Sequence, residues 1–191
     1  MSQLGLFGGA AEAPEGFRYQ PDLLSGPEEA ALLEQICPLP FREFEFIQGY
    51  RGKRRVVSFG WRYDFQEREL RKADDMPAFL APLRRRAAAF AGLSPDDLQH
   101  ALVTEYSEGA GIGWHRDKPM FGDVVGISLL APCTFRLRRK AGGKWQRYSL
   151  RAEPRSAYLL RGPSRTEWEH SIPGVEQLRY SVTFRNLLGH S

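Results

Sequence analysis

The segment Trp114-His115-Arg116-Asp117 sets an imidazole and a carboxylate two residues apart, just after a run of glycines. On an extended strand, side chains i and i+2 share a face, so His115 and Asp117 are expected to project together, with Trp114 and Arg116 opposite. One imidazole and one carboxylate are two of the three ligands of a 2-His-1-carboxylate facial triad. That triad leaves positions on non-haem iron(II) open for a cosubstrate and dioxygen. The third ligand must then be another histidine. His170, 55 residues downstream, lies in RTEWEHSIPG at the end of a later strand-like run. A histidine bonded to a nearby carboxylate is also a common structural pair, so the HxD pair alone does not decide between the two readings.

A second stretch adds anion chemistry. LRYSVTFRN (178–186) alternates strictly, with Arg179, Ser181, Thr183 and Arg185 on one face and Tyr180, Val182 and Phe184 on the other. An arginine on a face that lines a barrel needs an anion. Arg179 and Arg185 are about 20 Å apart along a strand, so they cannot share one carboxylate side by side. Either their side chains bracket a small diacid, or one holds the acid while the other braces the metal shell. A forked guanidinium suits a carboxylate end-on. The alternative is an edge strand with both arginines in solvent.

These residues must be placed by a fold that 191 residues can build as one domain, and 42 % hydrophobic residues are enough for a packed core. No apolar run reaches membrane-spanning length and the N-terminus lacks the pattern of a secretory signal, so no membrane is expected, and the two lone cysteines point to a reducing cytoplasm. Cys37 and Cys133 stand far apart without CxxC spacing, which excludes a thiolate zinc site and a disulfide framework. The net charge is +4, and its cations cluster in RGKRR (51–55), RRR (84–86) and FRLRRKAGGKWQR (135–147). Basic clusters beside aromatics are what a phosphate backbone needs, although a solvated charged face looks the same in sequence.

Residues 1–16, rich in Gly, Ala and Pro, read as a flexible arm. SGPEEAALLEQI (25–36) carries a capping box, Ser25 with Glu28, and a proline in the first turn. FREFEFI (41–47) and RVVSFGWRYDF (55–65) read as strands, and MPAFLAPLRRRAAAFAG (76–92) as a helix interrupted at Pro82 and stopped at Gly92. From Leu102 onward, eight short strand-like segments follow one another, including a hairpin at KAGGK (140–144). The fold class expected is α+β, a double-sheet jelly roll with helices packed from its N-terminal side.

With these residues in hand, the chain resembles the AlkB-like family of 2-oxoglutarate/iron(II) dioxygenases, from about Phe17 to Leu187. YSEGAGIGWHRD (106–117) is similar to the family's entry into the metal site, RGPSRTEWEH (161–170) to the segment that delivers the distal histidine, and RYSVTFR to its arginine strand. The resemblance implies a double-stranded β-helix core over about 101–187 and a nucleotide-recognition lid over about 48–66. It implies that His115, Asp117 and His170 hold iron(II). Arg179 would take the distal carboxylate of 2-oxoglutarate, assisted by Tyr106, and Arg185 would sit at the metal end, close to Asp117. The family's usual asparagines are Thr104 and Ser181 here, shorter residues in the same cosubstrate pocket.

The implied reaction, with dioxygen as cosubstrate, hydroxylates a C–H bond. On an N-methylated base the product collapses and releases formaldehyde. The base must first leave its stack. Phe59, Trp61 and Tyr63, on one face of a strand, would stack on it, with Arg54 or Arg55 on phosphate and Arg165 as a further candidate for the substrate or the metal shell. The same aromatics would otherwise pack onto the helices as core. In several base-repairing members an acidic residue two positions after the metal aspartate reads the base, and here that position is Pro119. QLGLF, with Gln3, Leu4, Leu6 and Phe7, resembles the peptide by which bacterial repair proteins bind the sliding clamp. The leading expectation is therefore a monomeric dealkylase of nucleic-acid bases acting in DNA repair. The same chemistry on a modified RNA or a protein side chain, and a non-catalytic nucleic-acid-binding module, are the alternatives.

Overall fold

The structure, a computed structural model, describes residues 12–45 and 51–189. The QLGLF motif with Gln3, Leu4, Leu6 and Phe7 therefore lies outside the described residues. In chain order the elements are β1 (Arg18–Gln20), α1 (Gly26–Ile36), β2 (Arg42–Glu45), β3 (Arg51–Phe59), β4 (Trp61–Asp64), β5 (Glu69–Lys72), α2 (Ala81–Ala91), β6 (His100–Tyr106) and β7 (Ile112–His115). After these come β8 (Phe121–Leu129), β9 (Cys133–Ala141), β10 (Lys144–Ala152), β11 (Ala157–Leu160), α3 (Pro163–Thr166), β12 (Glu169–Ile172) and β13 (Arg179–Leu187). No helix among the described residues is long and apolar enough to cross a membrane.

The strands form a seven-stranded sheet in the order β1-β11-β8-β13-β6-β3-β2, a four-stranded sheet in the order β10-β9-β12-β7, and a two-stranded ribbon, β4-β5. Consecutive strands repeatedly cross from one sheet to the other, which makes the core a jelly roll. Strict alternation divides its packing into two layers. On the large sheet Val103, Val125, Ile127, Leu129, Val182 and Phe184 face outward onto α1 and α2, where Leu32, Ile36, Leu83 and Ala87 cover them. The opposite face of that sheet meets the small sheet through Tyr106, Val124, Tyr158 and Leu160, against Phe135, Leu137 and Ile172. The arginines of β13 lie on this inner face.

Local chemistry explains most boundaries. Ser25 and Glu28 form the capping box of α1, each accepting the other's backbone N–H. At α2 the structure corrects the expected single helix over 76–92. A 3₁₀ turn covers Ala78–Leu80 and the α-helix begins at Ala81, with Pro82 in its first turn. Proline has no N–H to give and clashes with a preceding turn, so it starts this helix rather than interrupting it. Gly92 closes α2 at φ 68°, its N–H bonding to the Ala88 and Ala89 carbonyls.

Two further corrections bear on the site. The run 55–65 is not one strand: at Gly60 (φ 76°) the chain leaves the large sheet, and a Cβ there would lie 2.1 Å from the Gln99 carbonyl oxygen. Only glycine can make that turn. Residues 14–16, expected within the flexible arm, are held to the rest of the fold. The Pro14 carbonyl accepts from Phe17, the Glu15 carbonyl accepts from Ser164 at 2.9 Å, and Gly16 packs on Arg161.

Candidate active site

His115 and His170 are direct cross-strand partners on β7 and β12, with ring centroids 4.2 Å apart. β7 ends at His115, so Asp117 does not share its strand face as the i, i+2 rule predicts. It arrives from the following turn, where the Lys118 carbonyl accepts from Phe121. Asp117 Oδ1 nevertheless lies 3.7 Å from His115 Nε2 and 3.8 Å from His170 Nε2. Ligand atoms of all three residues fall within 4.8 Å of one another. His115 Nδ1 is 2.9 Å from the Gly113 carbonyl, an acceptor that fixes the proton on Nδ1 and leaves Nε2 to bind a metal. His170 packs on Phe135 and is buried; desolvation, reinforced by His115, lowers its pKa to about 3, so it is a neutral ligand at physiological pH.

The carboxylate is held in its charged form. Burial would raise the Asp117 pKa, but Arg185 and the two histidines outweigh it and keep the carboxyl well below the usual range. Arg185 Nε donates to Asp117 Oδ2 at 2.6 Å, which leaves Oδ1 to face the histidines. Its Nη1 lies 3.4 Å from Nδ1 of His100, its partner in the β13–β6 register. Arginine only donates, so this contact requires Nδ1 of a neutral His100 to accept. Burial, and then the nearby Arg185 charge, push His100 well below the usual histidine range, consistent with that tautomer.

At the other end of β13, Arg179 is 1 % exposed. Its Nη2 donates to Ser128 at 2.7 Å and its guanidinium lies over the Tyr106 ring at 4.8 Å. Nε and Nη1 are buried without any hydrogen-bond partner. Two unsatisfied donors on a buried cation are costly, and a carboxylate is the group that satisfies both. Thr104 and Ser181 are cross-strand neighbours in the wall between Arg179 and Arg185, and both are buried.

The residues expected to contact substrate separate into three groups. Arg54 is buried in the barrel, hydrogen-bonded to Tyr106 and sharing the field of Arg185 and Asp117, so it is part of the inner pocket and not an outer phosphate contact. Arg55 points to the opposite face, where it pairs with Glu105 at 2.7 Å, and Phe59 is buried among the helices. The turn at Gly60 therefore breaks up the expected aromatic face. Trp61 and Tyr63 sit on the β4–β5 ribbon instead. There Tyr63 meets Phe65 edge-on at 5.0 Å, and Lys118 Nζ lies 5.0 Å from the Tyr63 ring and 5.5 Å from that of Phe65. The ribbon thus rests on the residue next to Asp117. Of the two roles expected for Arg165, the hydrogen bonds match the one beside the metal shell: it is buried and donates to the carbonyls of Lys118, Phe121 and Gly122, bracing the turn that presents Asp117.

Sequence reading gave no role to His100, Ser128, Tyr158 or Phe65, and gave Lys118 none beyond its place after Asp117. The alternation of β6 could have found His100, because it shares the inner face with Thr104 and Tyr106. Tyr158, also on the inner face, is buried against Phe135, and burial raises its pKa, so it stays protonated. Nothing local in the sequence marks it.

The donor set fits iron(II): two neutral imidazoles and one ionised carboxylate converge on one point. The orphaned nitrogens of Arg179 fit the carboxylate of a 2-oxo acid. A family model described as the 2OG-Fe(II) oxygenase superfamily matches residues 16–185. The chain is 29 % identical over 146 residues to an "Alkylated DNA repair protein ALKBH8 homolog" of Arabidopsis thaliana, covering 64 % of this chain and 42 % of that protein. It is also 29 % identical over 114 residues to a "Probable RNA/DNA demethylase ALKBH6" of Danio rerio, covering 60 % and 46 %. The chain thus spans less than half the length of these two relatives. Among solved structures, that of OsALKBH1 superposes with a TM-score of 0.70 at 17 % identity, covering 92 % of this chain and 98 % of the other, a likeness of fold. The chain belongs to the 2OG-Fe(II) oxygenase superfamily, and its donor set fits the iron(II) and 2-oxoglutarate for which that superfamily is named.

Proposed function

We propose that this protein oxidatively removes alkyl groups from nucleic-acid bases, with repair of alkylated DNA as its task. The observation that carries this reading is the aromatic ribbon, Tyr63 and Phe65, seated on Lys118 one residue from the metal carboxylate. Aromatic rings held by the residue next to the metal carboxylate suit a planar substrate extruded from its stack. The names of the two relatives, an alkylated DNA repair protein homologue and a probable RNA/DNA demethylase, support the same substrate class.

His115, Asp117 and His170 would hold the iron. Arg179 would take the distal carboxylate of 2-oxoglutarate with Nε and Nη1. When bound, iron and 2-oxoglutarate supply the oxidant that hydroxylates the substrate carbon. The chain itself fixes the geometry: Arg185 pins Oδ2 of Asp117, the Gly113 carbonyl fixes the His115 tautomer, and Arg165 holds the turn between β7 and β8. Phe135, Leu137 and Tyr158 keep the inner pocket dry. Hydroxylation of an N-methyl carbon gives a hemiaminal that expels formaldehyde and leaves the base intact.

Pro119 has no side-chain donor or acceptor to read an exocyclic amino group, which favours a lesion recognised by shape. It leaves alkylated RNA as the second reading. Succinate and formaldehyde formation with iron(II), 2-oxoglutarate and a panel of methylated DNA and RNA oligonucleotides tests the proposal, with His115→Ala as control. Metal-dependent turnover on a methylated oligonucleotide is expected. Turnover on none of the panel overturns the reading. We further read the protein as a monomer that reaches DNA through a clamp contact at Leu6 and Phe7. Equal clamp capture by wild type and a Leu6→Ala/Phe7→Ala variant would exclude that contact.

A further inference from the structure

The outward face of the small sheet is unusual in charge and in ring content. Cys133, Phe135 and Leu137 point into the core, so Arg136, Arg138 and Lys140 point out of β9. Register places Arg147 beside Arg138, Trp145 beside Lys140 and Arg151 beside Thr134 on the same outward face, with Glu169 of β12 beside Arg138. That face carries five cations, Arg136, Arg138, Lys140, Arg147 and Arg151, against two carboxylates, Glu169 paired with Arg138 and Glu153 paired with Arg151 at 2.7 Å. Trp114 joins it from β7, back to back with His115.

The cations are organised. The Arg138 guanidinium is sandwiched between Trp114 at 4.3 Å and Trp145 at 4.4 Å, and its Nε donates to Glu169 at 2.8 Å. Arg136 covers the same Trp114 ring at 4.8 Å and donates to Ser171. Arg138 is thus immobilised as the spacer of a Trp-Arg-Trp stack. Trp145 remains 41 % exposed at the end of that stack. Lys140 and Arg147 flank it, with no ion-pair partner among the described residues.

We infer that this outward face is a second nucleic-acid contact surface, which holds unmodified backbone of the strand whose base enters the barrel. The inference rests on the nucleic-acid reading proposed above. Two arguments carry it. An array of like charge in which Arg136, Lys140 and Arg147 have no carboxylate of their own among the described residues is complementary to a polyanion, and the phosphate backbone supplies sequence-independent affinity through such contacts. An exposed indole stiffened by a guanidinium beneath it is a ready platform for an adjacent base. Outward cations two residues apart on β9 repeat about every 6.6 Å, a spacing an extended strand of phosphates can follow. The face also begins at Trp114, so a strand bound there runs directly to the metal histidine on the other side of β7.

The test uses fluorescence anisotropy of a short unmodified oligonucleotide with the full chain, across a salt series. Lys140→Glu/Arg147→Glu and, separately, Trp145→Ala are compared with wild type. The double variant is expected to bind roughly ten-fold or more weakly and to lose about two units of salt slope, as two phosphate contacts disappear. Trp145→Ala is expected to weaken binding with the slope unchanged. Melting temperature and metal affinity of both variants should match wild type, since none of the three residues touches the centre. Equal affinity and slope in wild type and the double variant overturn the inference. So does a variant that loses binding to anionic lipid vesicles while keeping the oligonucleotide. Salt-dependent binding through this face with no demethylation of any oligonucleotide sinks the proposed reaction and leaves the surface. Demethylation with the variant's binding unchanged does the reverse.

Discussion

Arg185 Nε lies 2.6 Å from Oδ2 of Asp117, so the carboxylate that would bind metal is aimed by a guanidinium from β13, in the large sheet. The arginine fills one carboxylate oxygen, turns the other toward His115 and His170, and keeps the group ionised. Arg185→Met should therefore weaken metal binding without removing a ligand. Loss of such an outer contact typically costs about 10- to 100-fold in metal affinity. Anaerobic titration with iron(II), or with manganese(II) as a redox-stable probe, measures it. Unchanged affinity would show that Asp117 is held by its turn alone. His100→Phe, which keeps the ring contact with Phe121 but removes the acceptor, should shift affinity in the same direction by less.

Arg179 differs from Arg185 in having two buried donors unused. Removing it should therefore move two properties in opposite directions. Arg179→Met should raise the melting temperature of the ligand-free protein, because an unpaired buried charge is replaced by an apolar chain of similar volume. It should also abolish the stabilisation that 2-oxoglutarate gives. A charged hydrogen bond contributes about 1.5–3 kcal/mol, so affinity for the 2-oxo acid should fall roughly 10- to 150-fold. Differential scanning fluorimetry with and without 2-oxoglutarate reads both. A ligand shift as large in the variant as in wild type would remove Arg179 from the binding site.

The metal-free protein should lose stability on the acid side. His170 titrates at about 3 when folded and near 6.5 when unfolded. Between those values the unfolded chain binds a proton that the folded one does not, so stability rises with pH and is fully present only above about 6.5. His100, also lowered by burial, has the same sign. Asp117, held below its ordinary value by Arg185 despite burial, adds a second loss only below about 3.8, as pH falls toward its folded value. Melting temperature should fall steadily from pH 7 to pH 4, and His170→Gln should flatten that slope. An equal slope in the variant would mean that other groups set the acid limb.

The alternation of side chains along β13 and β6 was readable because strands keep a period of two wherever both faces are buried differently. Arg179, Ser181 and Arg185 could be placed on one inner face for that reason. Asp117 was found by a rule that does not apply to it: the strand stops at His115, and a turn braced by Arg165 brings the carboxylate back. That brace joins residues more than 40 positions apart, and no local pattern encodes it. The break at Gly60 was missed because RVVSFGWRYDF has the composition of one strand. The close approach of the Gln99 carbonyl, which forces glycine, exists only once β3 and β6 are paired. Arg54 and Arg55 are neighbours in sequence and sit on opposite faces of that pair, one in the pocket and one beside Glu105.

The ribbon gives a prediction specific to substrate. Tyr63 meets Phe65 and Lys118. Tyr63→Ala should raise KM for a methylated oligonucleotide, with base stacking worth about 1–3 kcal/mol. Affinity for 2-oxoglutarate, measured by titration, should stay at the wild-type value. A variant in which both change together would place the ribbon in the cofactor pocket instead of over the base.

Gly126 sits opposite Tyr158 in the β8–β11 register, and a Cβ on it would lie 2.2 Å from Cζ of that ring and 2.5 Å from its hydroxyl. The ring cannot retreat: it is buried and packs on Phe135 at 4.3 Å, and Phe135 in turn stacks on His170. A methyl group at 126 should therefore be transmitted through two aromatic rings to a metal histidine. Gly126→Ala is expected to destabilise the fold by about 1–3 kcal/mol through overpacking. Metal affinity should fall with it, although no ligand is changed. Pairing it with Tyr158→Leu, which empties the contested space, should restore metal affinity more fully than stability, because the double variant leaves a cavity beside Phe135. Urea denaturation and metal titration of the three variants separate the two effects. Full stability in Gly126→Ala would mean that the Tyr158 ring has room to move after all.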